Sequence, residues 1–178
     1  MTQCVSFQFP LIRAKMRVML ILGIDPGTAT TGFGLITEKK DKLVFVDHGA
    51  IITSKNMTSQ ERLRTIYVYL KGILKDYKPN VMALEKIFFG KNAKTAIAVG
   101  QARGIMLLAA AEMKVPVAQY SPLEVKLAVT GYGKADKKQV QEMVTRLLGL
   151  SFTPKPDDAA DALAIAICHL HSYKMASL

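Results

Sequence analysis

Apolar and polar positions alternate along this chain in short blocks, and the period of each block predicts an element. Residues 18–24 form an apolar run with β-branched members, the pattern of a strand buried on both faces. The run meets Asp25-Pro26-Gly27, where Pro26 offers no ladder donor and Gly27 permits a tight turn. Residues 32–36 read as the returning strand, 39–42 as a polar turn and 43–52 as a third strand, so the chain opens with an antiparallel meander. A polar loop over 53–59 follows, with Ser59 available as a helix cap; Leu63, Ile66, Tyr67, Leu70, Ile73, Leu74 and Tyr77 then keep helical spacing until Pro79-Asn80.

The second half alternates strand and helix. Residues 81–85 read as a buried central strand, 87–92 as a loop carrying two aromatics, and 93–113 as a long helix. In that helix Ala96, Gly100 and Gly104 recur every fourth residue, which suits either close packing on a sheet or a helix pair across a dimer. Residues 115–120 read as a strand, with Pro116 pointing to an edge or a strand start. Ser121-Pro122 opens a helix, 131–134 is a hinge-like loop, and Val140, Met143, Val144, Leu147 and Leu148 mark another helix closed by Gly149. After a stiff connector at 153–156, residues 157–169 form an Ala-rich final helix. The order predicts an α/β fold: a mixed sheet, part antiparallel meander and part parallel, covered by helices on both faces.

A length of 178 residues suits one domain, and no internal repeat or low-complexity tract divides it. Residues 1–15 read as a disposable extension, 16–173 as the domain and 174–178 as a tail. The longest apolar stretch, 97–111, is interrupted by Arg103 and too short to span a bilayer, so no membrane association is expected. Two distant cysteines, Cys4 and Cys168, suit a reducing, cytoplasmic setting. The 24 Lys plus Arg against 14 Asp plus Glu, a net +10, favour a polyanionic partner. That charge is concentrated: Lys86, Lys91, Lys94 and Arg103 occur between Glu85 and Glu112 without an acid among them. Residues 126–155 carry Lys126, Lys134, Lys137, Lys138, Arg146 and Lys155 against only Asp136 and Glu142, the footprint of a nucleic-acid binder.

The acids are placed differently. Asp25 ends the first strand, Glu85 ends the fourth, and Asp157, Asp158 and Asp161 open the last helix. Like charges gathered at element ends repel unless a cation compensates, and all-oxygen ligands select Mg²⁺ or Mn²⁺ over zinc. Asp157, after Pro156, also reads as a helix N-cap, and spacing alone leaves both Asp157 and Asp158 as partners for Asp161.

Four segments together match a family pattern. Ile24-Asp-Pro-Gly-Thr with Gly32 and Gly34, Leu84-Glu85 followed by Phe89-Gly-Lys-Asn92, Gly100-Gln-Ala-Arg-Gly104, and the run from Asp158 to Ala166 closely resemble the Holliday-junction resolvases of the RuvC family. The resemblance covers residues 16–171. It implies an RNase H-like fold, a homodimer, and Mg²⁺-dependent paired nicking of four-way DNA junctions alongside the RuvA and RuvB branch-migration proteins. On this resemblance Asp25, Glu85, Asp158 and Asp161 fall on the metal-binding acids, Phe88 on a junction-probing aromatic, and Lys126 and Lys137 on basic residues near the cut strand.

The expected chemistry is two-metal hydrolysis, with ions roughly 4 Å apart spanning attacking water and leaving oxygen. Asp25 would bridge them, Glu85 and Asp158 would complete one each, and Asp161 would hold the second; Lys137 would steady the phosphoryl charge. Lys91, Lys94, Arg103 and Lys134 would track phosphates, and Phe88 or Phe89 would stack on an unpaired base, with core packing the other reading of Phe89. Three rivals remain: an ATPase sharing the Asp-Pro-Gly-Thr phosphate loop, a junction binder without catalysis, and a nuclease acting on hybrids or flaps.

Overall fold

The computed structural model describes residues 19–86 and 93–176, with side chains from residue 96 in the second segment. The sequence-derived extension (residues 1–15), Phe88, Phe89 and Lys91 lie outside the described residues, as does the side chain of Lys94. One five-stranded sheet runs in the order β3-β2-β1-β4-β5. β1 (Ile21–Asp25), β2 (Thr30–Lys39) and β3 (Lys42–Ile52) form the antiparallel meander. β4 (Val81–Glu85) lies parallel to β1, and β5 (Val117–Tyr120) parallel to β4 at the edge.

Alternation along the strands sorts the core into two layers. Leu22, Ile24, Met82 and Leu84 face α1 (Ser59–Tyr77) and α2 (Ala93–Glu112). Ile21, Val81 and Ala83 face α3 (Pro122–Thr130), α4 (Lys137–Leu147) and α5 (Asp157–Ala176). Helices therefore cover both faces, and the sheet is mixed, as the block order predicts.

Several boundaries move for physical reasons. β1 begins at Ile21 rather than 18, because the backbone of Leu20 is tied to Asn80: Leu20 donates to Asn80 Oδ1 at 2.8 Å and Asn80 N–H donates to the Leu20 carbonyl at 2.8 Å. The cap of α1 is Thr58, not Ser59; Thr58 and Glu61 form a reciprocal capping box one residue earlier than expected. Asp157 is not an N-cap, since α5 starts on it and its carboxylate turns to Lys155 and Lys137. The last helix continues to Ala176, so residues 174–176 are helical rather than tail.

α5 is the most deeply buried helix, with residues 159, 160 and 162–170 all enclosed. It lies across β1 and β2, and Gly23, Gly32 and Gly34 let it come so close. A Cβ at Gly23 would overlap the carbonyl oxygen of Ala162, and one at Gly32 the carbonyl oxygen of Asp158. The Ala-rich face of α5 is the counterpart: small side chains on the helix meet absent side chains on the sheet. That seating fixes where the first turn of α5 presents its acids.

Candidate active site

Strand parity decides where the first two acids point. In β1 the odd positions Ile21 and Gly23 face α5, so Asp25 does too. In β4, Val81 and Ala83 face the same layer, and Glu85 follows them. The strands are parallel neighbours in register, with Ile24 beside Leu84, so both carboxylates stand at the carboxyl ends of adjacent strands. Such strand ends are the usual place for a site in an open α/β sheet. Gly32, the β2 partner of Asp25, is also the glycine against which the Asp158 carbonyl rests. Asp158 and Asp161, one helical turn apart, are thereby brought over the same corner.

The electrostatics register the convergence. Burial, then the charges of Glu85, Asp161 and Asp158, push the Asp25 carboxyl up to about 8, with Lys137 opposing. Glu85 is raised by burial and by Asp161, while Arg103 pulls the other way. Asp161 is raised by burial, against a hydrogen bond and charge from Lys137. The Lys137 ammonium sits 3.1 Å from Asp161 Oδ2 and 3.7 Å from Asp157 Oδ2. Burial disfavours its charge, but Asp161, Asp157 and Asp158 carry its pKa upward overall. Lys155 holds the other oxygen of Asp157 at 3.4 Å.

Among the described residues, no three acid, His or Cys side chains are gathered tightly enough to hold an ion as they stand. Four acids within electrostatic reach of one another carry more negative charge than Lys137 offsets. The donor set fits a hard divalent cation: it is all carboxylate, and the raised Asp25 pKa is the uncompensated charge such an ion would neutralise. Lys137 occupies the position of a provisional counter-ion. It gets there because Asp136 caps α4, accepting from the Gln139 N–H at 2.8 Å, which sets Lys137 at the first helical position.

The remaining basic residues separate. Lys134 is exposed on the loop before α4, and Lys126 is half-buried on α3. Arg103 departs from the expectation of a phosphate-tracking surface cation: it is only 8 % exposed and donates through Nη2 to Gln119 Oε1 at 2.7 Å. The cause is its place on the inner face of α2, beside the buried Ala102 and Met106. Sequence reasoning missed Gln119 altogether, because an amide at a strand edge carries no pattern of its own. As a floor for α5, Gly23 and Gly32 were not read from the sequence, where Gly32 entered only as part of the family pattern, although an Ala-rich helix elsewhere is the signal that pairs with them.

The sequence model of the family described as "Crossover junction endodeoxyribonuclease RuvC" matches residues 21–169. A curated relative of that name from Syntrophomonas wolfei is 54% identical over 159 residues, covering 89% of this chain and 92% of its own. The solved structure of Thermus thermophilus RuvC superposes with a TM-score of 0.82 at 36% identity, covering 89% of this chain and 97% of that one. The same protein in complex with Holliday junction substrate gives 0.84 at 37% identity, with the same coverage.

Proposed function

This chain belongs to the RuvC family of crossover junction endodeoxyribonucleases, and we propose that it resolves four-way DNA junctions by paired symmetric nicks, using Mg²⁺ held by Asp25, Glu85, Asp158 and Asp161. The observation that carries the reading is the charge convergence at Asp25, where acids from β1, β4 and α5 act on one another at the carboxyl ends of parallel strands. The RNase H-like fold is shared with a relative solved on junction DNA, which supports the same substrate class here.

Asp25, Glu85, Asp158 and Asp161 would hold a pair of Mg²⁺ ions (Mn²⁺ in substitution), which would supply activation of the attacking water and charge stabilisation at the leaving oxygen. The chain's own contribution is positioning. Asp25 and Glu85 are fixed by the sheet, and Asp158 and Asp161 by the seating of α5, so the four carboxylates need no folding of a loop to assemble. The Lys137 ammonium, 3.1 Å from Asp161 Oδ2 at the edge of the acid cluster, would donate to a phosphoryl oxygen in the transition state. Lys126, on α3, and Lys134, on the loop before α4, would meet the DNA backbone, setting affinity rather than sequence. Phe88 or Phe89, on the segment joining β4 to α2, would probe the crossover, and Lys91 and Lys94 would follow phosphates there.

Paired cutting needs two sites, so the active species is read as a homodimer. The outer face of α2 supports it: Ile97 is 77% exposed, Leu108 50%, and nothing stands over Gly104. No helix among the described residues is long and apolar enough to cross a membrane. The family resemblance extends the reading to work beside the RuvA and RuvB branch-migration proteins. Comparing strand-labelled four-way junction, linear duplex, flap and RNA–DNA hybrid under one Mg²⁺ condition tests the assignment. The junction is cut on two opposed strands and the others are spared; equal cutting of duplex or hybrid would refute it.

A further inference from the structure

Asp157, the first residue of α5, has no part in the acid set of Asp25, Glu85, Asp158 and Asp161. An aspartate at a helix start ordinarily caps it. Here the backbone is served otherwise: the Ala159 N–H donates to the Pro156 carbonyl at 2.9 Å. Both oxygens of the Asp157 carboxylate face ammonium groups instead. Oδ1 accepts from Lys155 at 3.4 Å, and Oδ2 stands 3.7 Å from Lys137.

Lys137 thus lies between two carboxylates of α5 that are one helical turn apart. Asp161, at 3.1 Å, is the less exposed of the two and belongs to the acid cluster, while Asp157 stands at its outer side. A lysine ammonium on a four-carbon stem is a mobile point charge, so a single carboxylate restricts it little. Two carboxylates on one helix face confine it to the space between them. Pairs this exposed add little to stability, so the worth of the arrangement lies in where it puts the ammonium.

From the two ion pairs that meet on Asp157 and the place of Lys137 between Asp157 and Asp161, we infer that Asp157 is the positioning residue for Lys137. It is a carboxylate outside the metal-binding set, anchored by Lys155, that keeps the ammonium at the edge of the acid cluster. General electrostatics points the opposite way for a mere surface acid: removing negative charge beside DNA favours binding and leaves the rate alone. The two accounts therefore differ in sign.

The inference rests on the nuclease reading for the purpose of Lys137, but its first test needs no activity. In EDTA the Nζ resonance of Lys137, assigned by its loss in K137M, shifts in D157N, while the melting temperature stays within about 2 °C of wild type. Mn²⁺ binding to the protein without DNA, followed by electron paramagnetic resonance, stays within about threefold in D157N and weakens at least about tenfold in D158N. Single-turnover nicking of a four-way junction in Mg²⁺ at saturating enzyme falls about fivefold to tenfold in D157N, with junction affinity in EDTA equal or tighter. In the K137M background the same change costs less than about twofold, as action through one ammonium requires. D157E recovers part of the rate, and K155M, which releases the anchor, loses about twofold to threefold.

Mn²⁺ binding that weakens as far in D157N as in D158N would make Asp157 a ligand and overturn the inference. So would an unmoved Lys137 resonance, or rate losses in D157N and K137M that simply multiply. A wild-type protein that nicks no junction would instead sink the nuclease reading, while the resonance shift still decides the Asp157–Lys137 contact.

Discussion

Asp25 is where burial and like charge act together, and its behaviour follows from both. Its carboxyl is raised from the ordinary 3.8 to about 8, so between those values the folded chain holds a proton that the unfolded chain has lost. Stability of the metal-free protein therefore falls as pH rises from about 4 to about 8, and levels off above. Glu85 and Asp161 are raised as well and steepen the trend. In D25N the slope flattens, and at pH 7.5 in EDTA the melting temperature rises by roughly 3–6 °C, a range discounted for the partial exposure of the site. An unchanged melting profile in D25N would show that Asp25 bears no such charge. Lys137 belongs to the same scale. K137M slows nicking by about a hundredfold at saturating DNA, with junction affinity little altered, as expected of a donor to developing phosphoryl charge. A purely affinity-based loss would assign Lys137 to backbone tracking instead.

At the scale of elements, the site depends on how α5 is seated. Gly32 supports the Asp158 carbonyl from below, and any side chain there would lift the first turn of the helix off the sheet. G32A is expected to cost about 1–3 kcal/mol in urea unfolding, and to lose more activity than that destabilisation alone explains. Gly72, in the interior of α1 with nothing near its missing Cβ, is the matched control. G72A gains roughly 0.5–1 kcal/mol from helix propensity and leaves nicking untouched. Equal effects of the two would mean that α5 is not held by close contact.

These elements were legible to different degrees, for reasons of range. Strand and helix periods depend on local alternation, so β1 to β5 and α1 to α5 all occur, in the expected order, with ends shifted by a few residues. Caps depend on one side chain's geometry, which is why Thr58 and Asp157 were misassigned by a residue or a role. The four acids were visible as acids at element ends, but their shared corner required the parallel pairing of β1 with β4. Arg103 looked like a surface cation because nothing in its local pattern reveals that the polar position turns inward.

At the scale of the whole molecule, one sheet separates two helical layers, and the site lies where the sheet runs out. Of the excess of ten positive charges, Lys137 stands within that acidic corner, while Lys134 is exposed before α4 and Lys126 is half-buried on α3. Junction binding without metal should therefore be strongly salt-dependent, weakening by roughly tenfold to a hundredfold between about 50 and 200 mM salt as condensed counter-ions are released. A salt-independent affinity would argue that the positive surface does not meet the DNA backbone.

The central claim is that carboxylates from β1, β4 and α5 form one cation-dependent cutting site. Its most direct test is a strand-labelled four-way junction incubated with wild type and with D25N, E85Q, D158N and D161N, each in Mg²⁺ and in EDTA. The wild type should nick two opposed strands in Mg²⁺ only, and each variant should bind the junction but cut at least about a thousandfold more slowly. Wild-type nicking by any one of the four, or nicking that persists undiminished in EDTA, would contradict the account.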